Sequence, residues 1–232
     1  MILAFETSAK AASVALMTEG KLLGESYQNT GLTHSQTLLS MAQDLLKSCG
    51  KTVGDIAAVA VANGPGSFTG VRIGVAAAKG LAWGRQIPCY GVSTLEAMAL
   101  GLGVWEGYVV PTMDARRDQT YTAIFRAEGG KLTRVLEDSA LSYEKLKEKI
   151  KNLQNPIFLV GDGANLCYNT LVDEVPGLVL PPESRMHQRA VGVALLAQQL
   201  RQAGVSGDGA SLTPNYLRLS QAERERLARE SK

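Results

Sequence analysis

The sequence is poor in the residues that most often carry chemistry. Cysteine occurs three times in 232 residues, at Cys49, Cys89 and Cys167. An odd number so widely spaced gives neither a disulfide framework nor Cys-x-x-Cys metal spacing. It fits a reducing compartment, and a cytoplasmic location is expected. Histidine occurs twice, at His34 and His187, so there is no His-x-x-x-His pair to hold a metal. No apolar run approaches the ~20 residues of a membrane span. The opening MILAFETSAK carries no charge before its apolar run and no cleavage-like site, so no signal peptide is expected. A net charge of +2 and a pI of about 8.4 are too mild to declare a nucleic-acid footprint, although charge can still cluster. Apolar bulk is not lacking. A hydrophobic share of 45% with a mean hydropathy of −0.01 predicts a soluble chain with a real core, as one large domain or two small lobes.

The chain is organised around residues 57 to 98. Ala57 to Ala62 is a short apolar run, as expected of a strand buried on both faces. The loop Gly64-Pro65-Gly66-Ser67-Phe68-Thr69-Gly70 follows, then a helix from about Thr69 to Trp83. Ser67 or Thr69 is placed to cap that helix and Gly84 to end it. A second strand runs from Pro88 to Val92, closing a βαβ unit. The loop matches neither a Walker A sequence nor Gly-x-Gly-x-x-Gly. Contact with an anion through its amides stays open, because a helix N-terminus attracts any anion. The helix is apolar nearly all round. Gly70, Gly74, Ala77, Ala78 and Leu81 fall at helical spacing, and small residues let a second backbone approach closely. One face is expected on the sheet and one on another subunit.

Before this unit, Met1 to Glu6, Ala12 to Thr18 and Lys21 to Tyr27 read as a three-stranded meander. Thr33-His34-Ser35-Gln36 reads as a capping box opening a helix of about fifteen residues, whose apolar positions again exceed one stripe. Ser93-Thr94-Leu95-Glu96 opens a further helix that fades at Gly101. The order then begins again. Strands are expected at 108–113, 119–126, 132–137 and 156–160, with helices at 143–153, after Gly163, and from about His187 to Ala203. Two βββαβα lobes predict an α/β fold of two ribonuclease-H-like lobes, the actin-like ATPase superfold, each with a mixed five-stranded sheet. The lobes are placed at 1–101 and 102–205, with a tail at 206–232 in which Glu225 and Arg229 can pair. That plan carries several chemistries, so it does not decide function.

Six stretches together carry a resemblance: Ile2 to Ser8, His34-Ser35, Asn63 to Gly74, Gly91 to Glu96, Asp114-Ala115-Arg116-Arg117 with Tyr121, and Pro214 to Arg218. With them the chain resembles the bacterial TsaB (YeaZ) family, the companion subunit in threonylcarbamoyladenosine biosynthesis on tRNA. TsaD is the catalytic paralogue. Where TsaD carries Gly-Val-Asn-His-Leu-Glu-Gly-His, this chain has Thr94 and Met98 in place of the two metal-binding histidines. Threonine and methionine are poor replacements, so neither a metal nor catalytic residues are expected. Gly161-Asp162-Gly163-Ala164-Asn165 stands where TsaD has its adenosine loop, with an acidic intruder. No cofactor is expected; weak nucleotide binding stays open and tight ATP binding by this chain alone does not.

The resemblance implies a non-catalytic scaffold that dimerises with TsaD for modification of adenosine 37 in tRNA. TsaE would join the pair, tRNA would be met through the complex, and the chain would form a homodimer when alone. The competing reading is a small-molecule kinase or metallopeptidase-like enzyme of the same superfold. The expected partner interface is Leu38, Leu39, Ala42 and Leu46 of the first helix with Gly70, Arg72, Ile73, Gly74, Ala77, Ala78 and Leu81 of the second. Either Ala77→Arg or Ala78→Arg is expected to break it without unfolding the lobe. Arg72 could instead pair with an acid in its own chain. Arg116 and Arg117 could touch RNA or nucleotide, or form an ordinary solvated turn with Asp114 as turn former. Glu6 stands where ribonuclease-H-like enzymes place a metal carboxylate, but without a second acid at Ala62-Asn63 a structural role is expected. His34 is expected to cap its helix or lie on the surface.

Overall fold

Side-chain alternation on one buried strand already sets the layers. Strand β1 (Ile2–Glu6) sends Leu3 and Phe5 to one core and Ile2 and Ala4 to another. Period-two alternation does this wherever both faces are covered. The structure, a computed structural model, describes residues 1–104, 106–154 and 156–218. The expected Glu225–Arg229 pair lies outside the described residues.

The first sheet adds β2 (Ala12–Thr18), β3 (Lys21–Gln28), β4 (Ala58–Gly64) and β5 (Cys89–Ser93), in the order β3-β2-β1-β4-β5. Strand β1 runs antiparallel to β2 and parallel to β4, and β5 is parallel to β4. The second sheet repeats the plan with β6 (Gly107–Asp114), β7 (Gln119–Glu128), β8 (Lys131–Ser142), β9 (Ile157–Val160) and β10 (Leu178–Val179), in the order β10-β9-β6-β7-β8. These are the two mixed five-stranded ribonuclease-H-like sheets that the order of elements predicts. Strand β10 has only two residues, too short for a periodic signal.

Helices α1 (His34–Ser48) and α2 (Phe68–Arg85) lie side by side on one face of the first sheet. Leu38, Met41, Leu45, Val71, Val75 and Ala78 pack there against Leu3, Phe5, Val14, Leu16, Val59 and Val61. Helix α3 (Thr94–Leu102) is shared. Ala97 enters the core of the first sheet, while Leu95, Met98, Ala99 and Leu102 pack on Val109, Met113, Phe125 and Val160 of the second. Helices α4 (Tyr143–Ile150) and α5 (Ala164–Leu171) cover the second sheet's other face. After the short α6 (Glu183–Met186) comes α7 (Ala190–Gln202). The sequence groups α7 with the second lobe by chain order. In space its Val193, Ala194 and Ala197 pack on Ile2, Ala4, Ala15, Ala58 and Ala60 of the first sheet. Alanines on the strands make that face shallow, and the alanine-rich α7 fits it closely.

Several helix ends differ from expectation. Ser67, not Thr69, caps α2, its hydroxyl accepting from Gly70 N at 3.3 Å. The helix runs through Gly84 and ends at Gln86, which takes the left-handed conformation itself. The Thr33 hydroxyl does not cap an amide; it donates to Gln36 Oε1 at 2.6 Å. Ser93 accepts from Glu96 N at 3.2 Å, but the Glu96 carboxylate turns away to Arg134. Strand β8 runs on to Ser142, past the expected Glu137, across register shifts in β7.

Candidate functional site

The loop before α2 is built by close backbone approach. A Cβ on Gly66 would meet the Ser8 carbonyl, and one on Gly70 the Thr7 carbonyl. Ser67 N donates to Ser8 O at 2.6 Å and the Thr7 hydroxyl donates to Gly70 O at 2.8 Å. The glycines therefore seat the loop on the turn after β1. The amides of Ser67 and Gly70 are both donated within the chain, which uses up part of the donor set an anion would need.

The outer face of α1 and α2 is narrower than the expected interface. Leu38, Ala42, Leu46, Gly70, Gly74 and Ala78 are buried in the chain's own core. The sheet and the turn at Thr7 cover them, so within this chain they offer a partner little surface. Ile73, Ala77 and Leu81 are partly buried at the edge of that core. Leu39 is 62% and Trp83 85% exposed, and Arg72, Ala76 and Gly80 lie on the same outward side. Ala76, Gly80 and Trp83 were not singled out from sequence. Their spacing of four and then three residues was the available signal, masked in a helix apolar all round.

Among the described residues Arg72 meets no carboxylate. Its guanidinium lies 3.8 Å over the Phe68 ring, and its Nε donates to the Tyr216 hydroxyl at 2.7 Å. Phe68 and Tyr216 stack with centroids 4.6 Å apart. Tyr216 belongs to a strap formed by residues 205–218. Lys79 Nζ donates to the carbonyls of Ala210 (3.2 Å) and Leu212 (2.9 Å). Asn215 N donates to Asn63 O at 2.6 Å, and Arg218 Nη1 reaches Ala115 O across the lobes at 2.8 Å.

The strap borders a cavity of about 490 Å³ between the lobes, lined among others by Lys10, Ser67, Asp114, Arg116, Asp162 and Arg218. Asp114 is the turn former expected of it, its Oδ1 accepting from Arg116 N at 2.7 Å. Arg116, Arg117 and Asp118 follow at φ of 60°, 56° and 55°, an uncommon run for non-glycine residues. Arg116 lines the cavity and Arg117 does not.

Beneath the cleft lies a buried polar group that sequence reading did not assemble. Glu6 is 1% exposed; its Oε1 accepts from Ser8 N at 2.6 Å and its Oε2 has no partner among the described residues. Burial pushes its carboxyl up to about 7, against the Ser8 backbone hydrogen bond that lowers it. Burial also raises Asp162, whose Oδ1 accepts from Gln188 Nε2 at 3.0 Å. Among the described residues the Ser8 hydroxyl and Gln188 Oε1 are buried without partners. His34, expected at the surface or as a cap, is 9% exposed, with Nε2 2.7 Å from the Ala9 carbonyl. Burial drives the thiols of Cys89 to about 11 and Cys167 to about 12, so both are unreactive at neutral pH. Thr94 and Met98 are buried a turn apart on α3, and among the described residues the Thr94 hydroxyl has no partner. Among the described residues no group of three or more His, Cys, Asp or Glu could hold a metal ion, and no helix is long and apolar enough to cross a membrane.

Comparison with known proteins adds a family. The family model described as TsaD, tRNA N6-adenosine threonylcarbamoyltransferase, matches residues 28–225. A tRNA threonylcarbamoyladenosine biosynthesis protein TsaB of Bacillus subtilis is 33% identical, over 96% of this chain and 96% of its own length. The protein of the same name from Escherichia coli is 39% identical over 70% and 71%. Among solved structures, YeaZ from Pseudomonas aeruginosa superposes with a TM-score of 0.75 at 28% identity, covering 93% of this chain and 99% of that one.

Proposed function

The chain belongs to the TsaB (YeaZ) family of tRNA threonylcarbamoyladenosine biosynthesis proteins, and from that premise we propose that it is a non-catalytic subunit dimerising with TsaD. TsaD carries out the transfer to adenosine 37, TsaE joins the pair, and tRNA is met through the complex. Without TsaD the same surface pairs two copies of this chain about a two-fold axis.

The observation that carries the reading is the outer face of α1 and α2, where Leu39 and Trp83 stand 62% and 85% exposed. Exposed apolar side chains on one side of a helix pair are a usual basis for association, and tryptophan is among the side chains enriched at interface hot spots. Ala76 and Gly80 between Arg72 and Trp83 let a second helix come close. Arg72 on this side is held against Phe68 and Tyr216.

Sizing chromatography of the chain with and without TsaD tests this. Wild-type protein is expected to shift to a complex, and Ala76→Arg to remain folded but elute alone. An Ala76→Arg protein that still forms the complex would place the contact elsewhere. Turnover of ATP by the purified chain above background would overturn the non-catalytic role.

A further inference from the structure

A second cavity, of about 330 Å³, opens far from the α1–α2 face. It lies between the edge strand β3, the shared helix α3 and the segment from α6 into α7. Its size falls in the range of about 300–1,000 Å³ usual for small-molecule pockets. Leu22, Ala97, Met98, Leu102 and Val191 supply apolar walls, while Arg185 and Arg189 stand at its polar side with Glu25 and His187.

The charges there are not equivalent. The Glu25 carboxylate, 8% exposed, accepts from Arg189 Nε at 3.1 Å and Nη2 at 2.6 Å, and from the Ser13 hydroxyl at 2.9 Å. The third Arg189 nitrogen donates to Ser184 O at 3.0 Å. Arg189 and Glu25 thus pair, with each of the three Arg189 nitrogens donating one bond. His187 Nε2 is engaged by Glu183 Oε1 at 2.7 Å. Arg185 keeps only a long bond, 3.4 Å, to the Leu102 carbonyl, and among the described residues no carboxylate lies within 4.0 Å of it. Arg185, itself exposed, therefore stands without a carboxylate partner at the rim of a cavity whose walls are mixed polar and apolar.

We propose that this cavity binds a small monoanion with an apolar body, a carboxylate on a short aliphatic or aromatic tail. The Arg185 guanidinium, held only by its long bond to Leu102 O, can take a carboxylate, and the apolar part of the walls takes the tail out of water. A phosphate dianion would bring a second charge against apolar walls with no partner. A cation would meet Arg185 directly. The site is separate from the association face, so it stands or falls apart from the TsaD reading.

Isothermal titration of the full chain at low salt tests it, using hexanoate, phenylacetate, inorganic phosphate and hexylamine as probes. Both carboxylates are expected to bind one to one with dissociation constants below about 1 mM. Arg185→Gln and, at the exposed wall, Leu22→Asp are each expected to weaken them at least tenfold. Arg116→Gln, in the other cavity, is expected to leave binding unchanged. Phenylglyoxal labelling of wild-type Arg185, read by peptide mass, is expected to slow when phenylacetate is present, which needs no variant to fold. Absence of saturable carboxylate binding, equal binding of phosphate or hexylamine, or labelling of Arg185 unaffected by ligand would overturn the proposal.

Discussion

Glu6 ends a fully buried strand with one carboxylate oxygen bonded to Ser8 N and the other facing no donor among the described residues. Removing the charged form from water outweighs the Ser8 backbone hydrogen bond, so the folded value near 7 stands above the ordinary carboxylate range. The folded chain then holds a proton that the unfolded chain releases. Stability from this group is complete at pH values below about 4.5 and is lost as pH rises through 7. Asp162, also raised by burial, acts in the same direction. Glu6→Gln keeps the acceptor for Ser8 N without the charge. At pH 8 it is expected to be more stable than wild type by as much as about 3 kcal/mol, with the difference vanishing near pH 4. Urea midpoints at the two pH values measure this, and a variant that loses stability at pH 8 would show that the carboxylate is needed ionised. Sequence alone placed Glu6 at the end of β1 but not its surroundings, because Asp162 and Gln188 come from another lobe.

Helix α2 shows why small residues are ambiguous in sequence. Gly70, Gly74 and Ala78 are small because the turn at Thr7 and the sheet press on them; Ala76 and Gly80 are small on the open side. Ala78 is 0% exposed, so Ala78→Arg is expected to unfold the first lobe rather than leave it intact, since it buries an unpaired charge. Of the two alanines between which the sequence leaves the outward position open, Ala78 is thus the inward one. Gly70→Ala drives a methyl into the Thr7 carbonyl and is expected to cost about 3 kcal/mol. Gly80→Ala, with nothing within reach of its Cβ, is expected to change stability by no more than about 1 kcal/mol, in the stabilising direction. Thermal melts followed by circular dichroism separate the three.

The lobes are tied together three times over. Helix α3 packs on both sheets, α7 returns from the second lobe to cover the first, and the strap from 205 to 218 runs along α2 to Ala115. A fragment of residues 1–101 lacks α7 and Leu212, leaving Ile2, Ala4, Ala15 and Ala60 uncovered. It is expected to aggregate or bind a hydrophobic dye, whereas residues 1–218 fold; a cooperative melt from the short fragment would contradict this. Tyr216→Ala removes the stack on Phe68 and the Arg72 hydrogen bond. The expected cost is about 1–2 kcal/mol, with faster proteolysis of the strap as its signature.

What the sequence determined by itself is local or periodic. The strands β1 to β9, the two long helices of the first lobe, the doubled element order and the Gly-rich loop all follow from alternation, helical spacing and turn residues, which act over a few positions. Tertiary structure decided which sheet α7 covers, which side of α2 faces out, where residues 205–218 lie, and that Glu6, Asp162 and Gln188 share one buried site. Each depends on residues far apart in the chain, and on a competition for the same apolar surface that no single segment records. Helix α7 is apolar enough for either sheet. The alanines of β1, β2 and β4, which leave room for it, settle the choice only once the strands have paired.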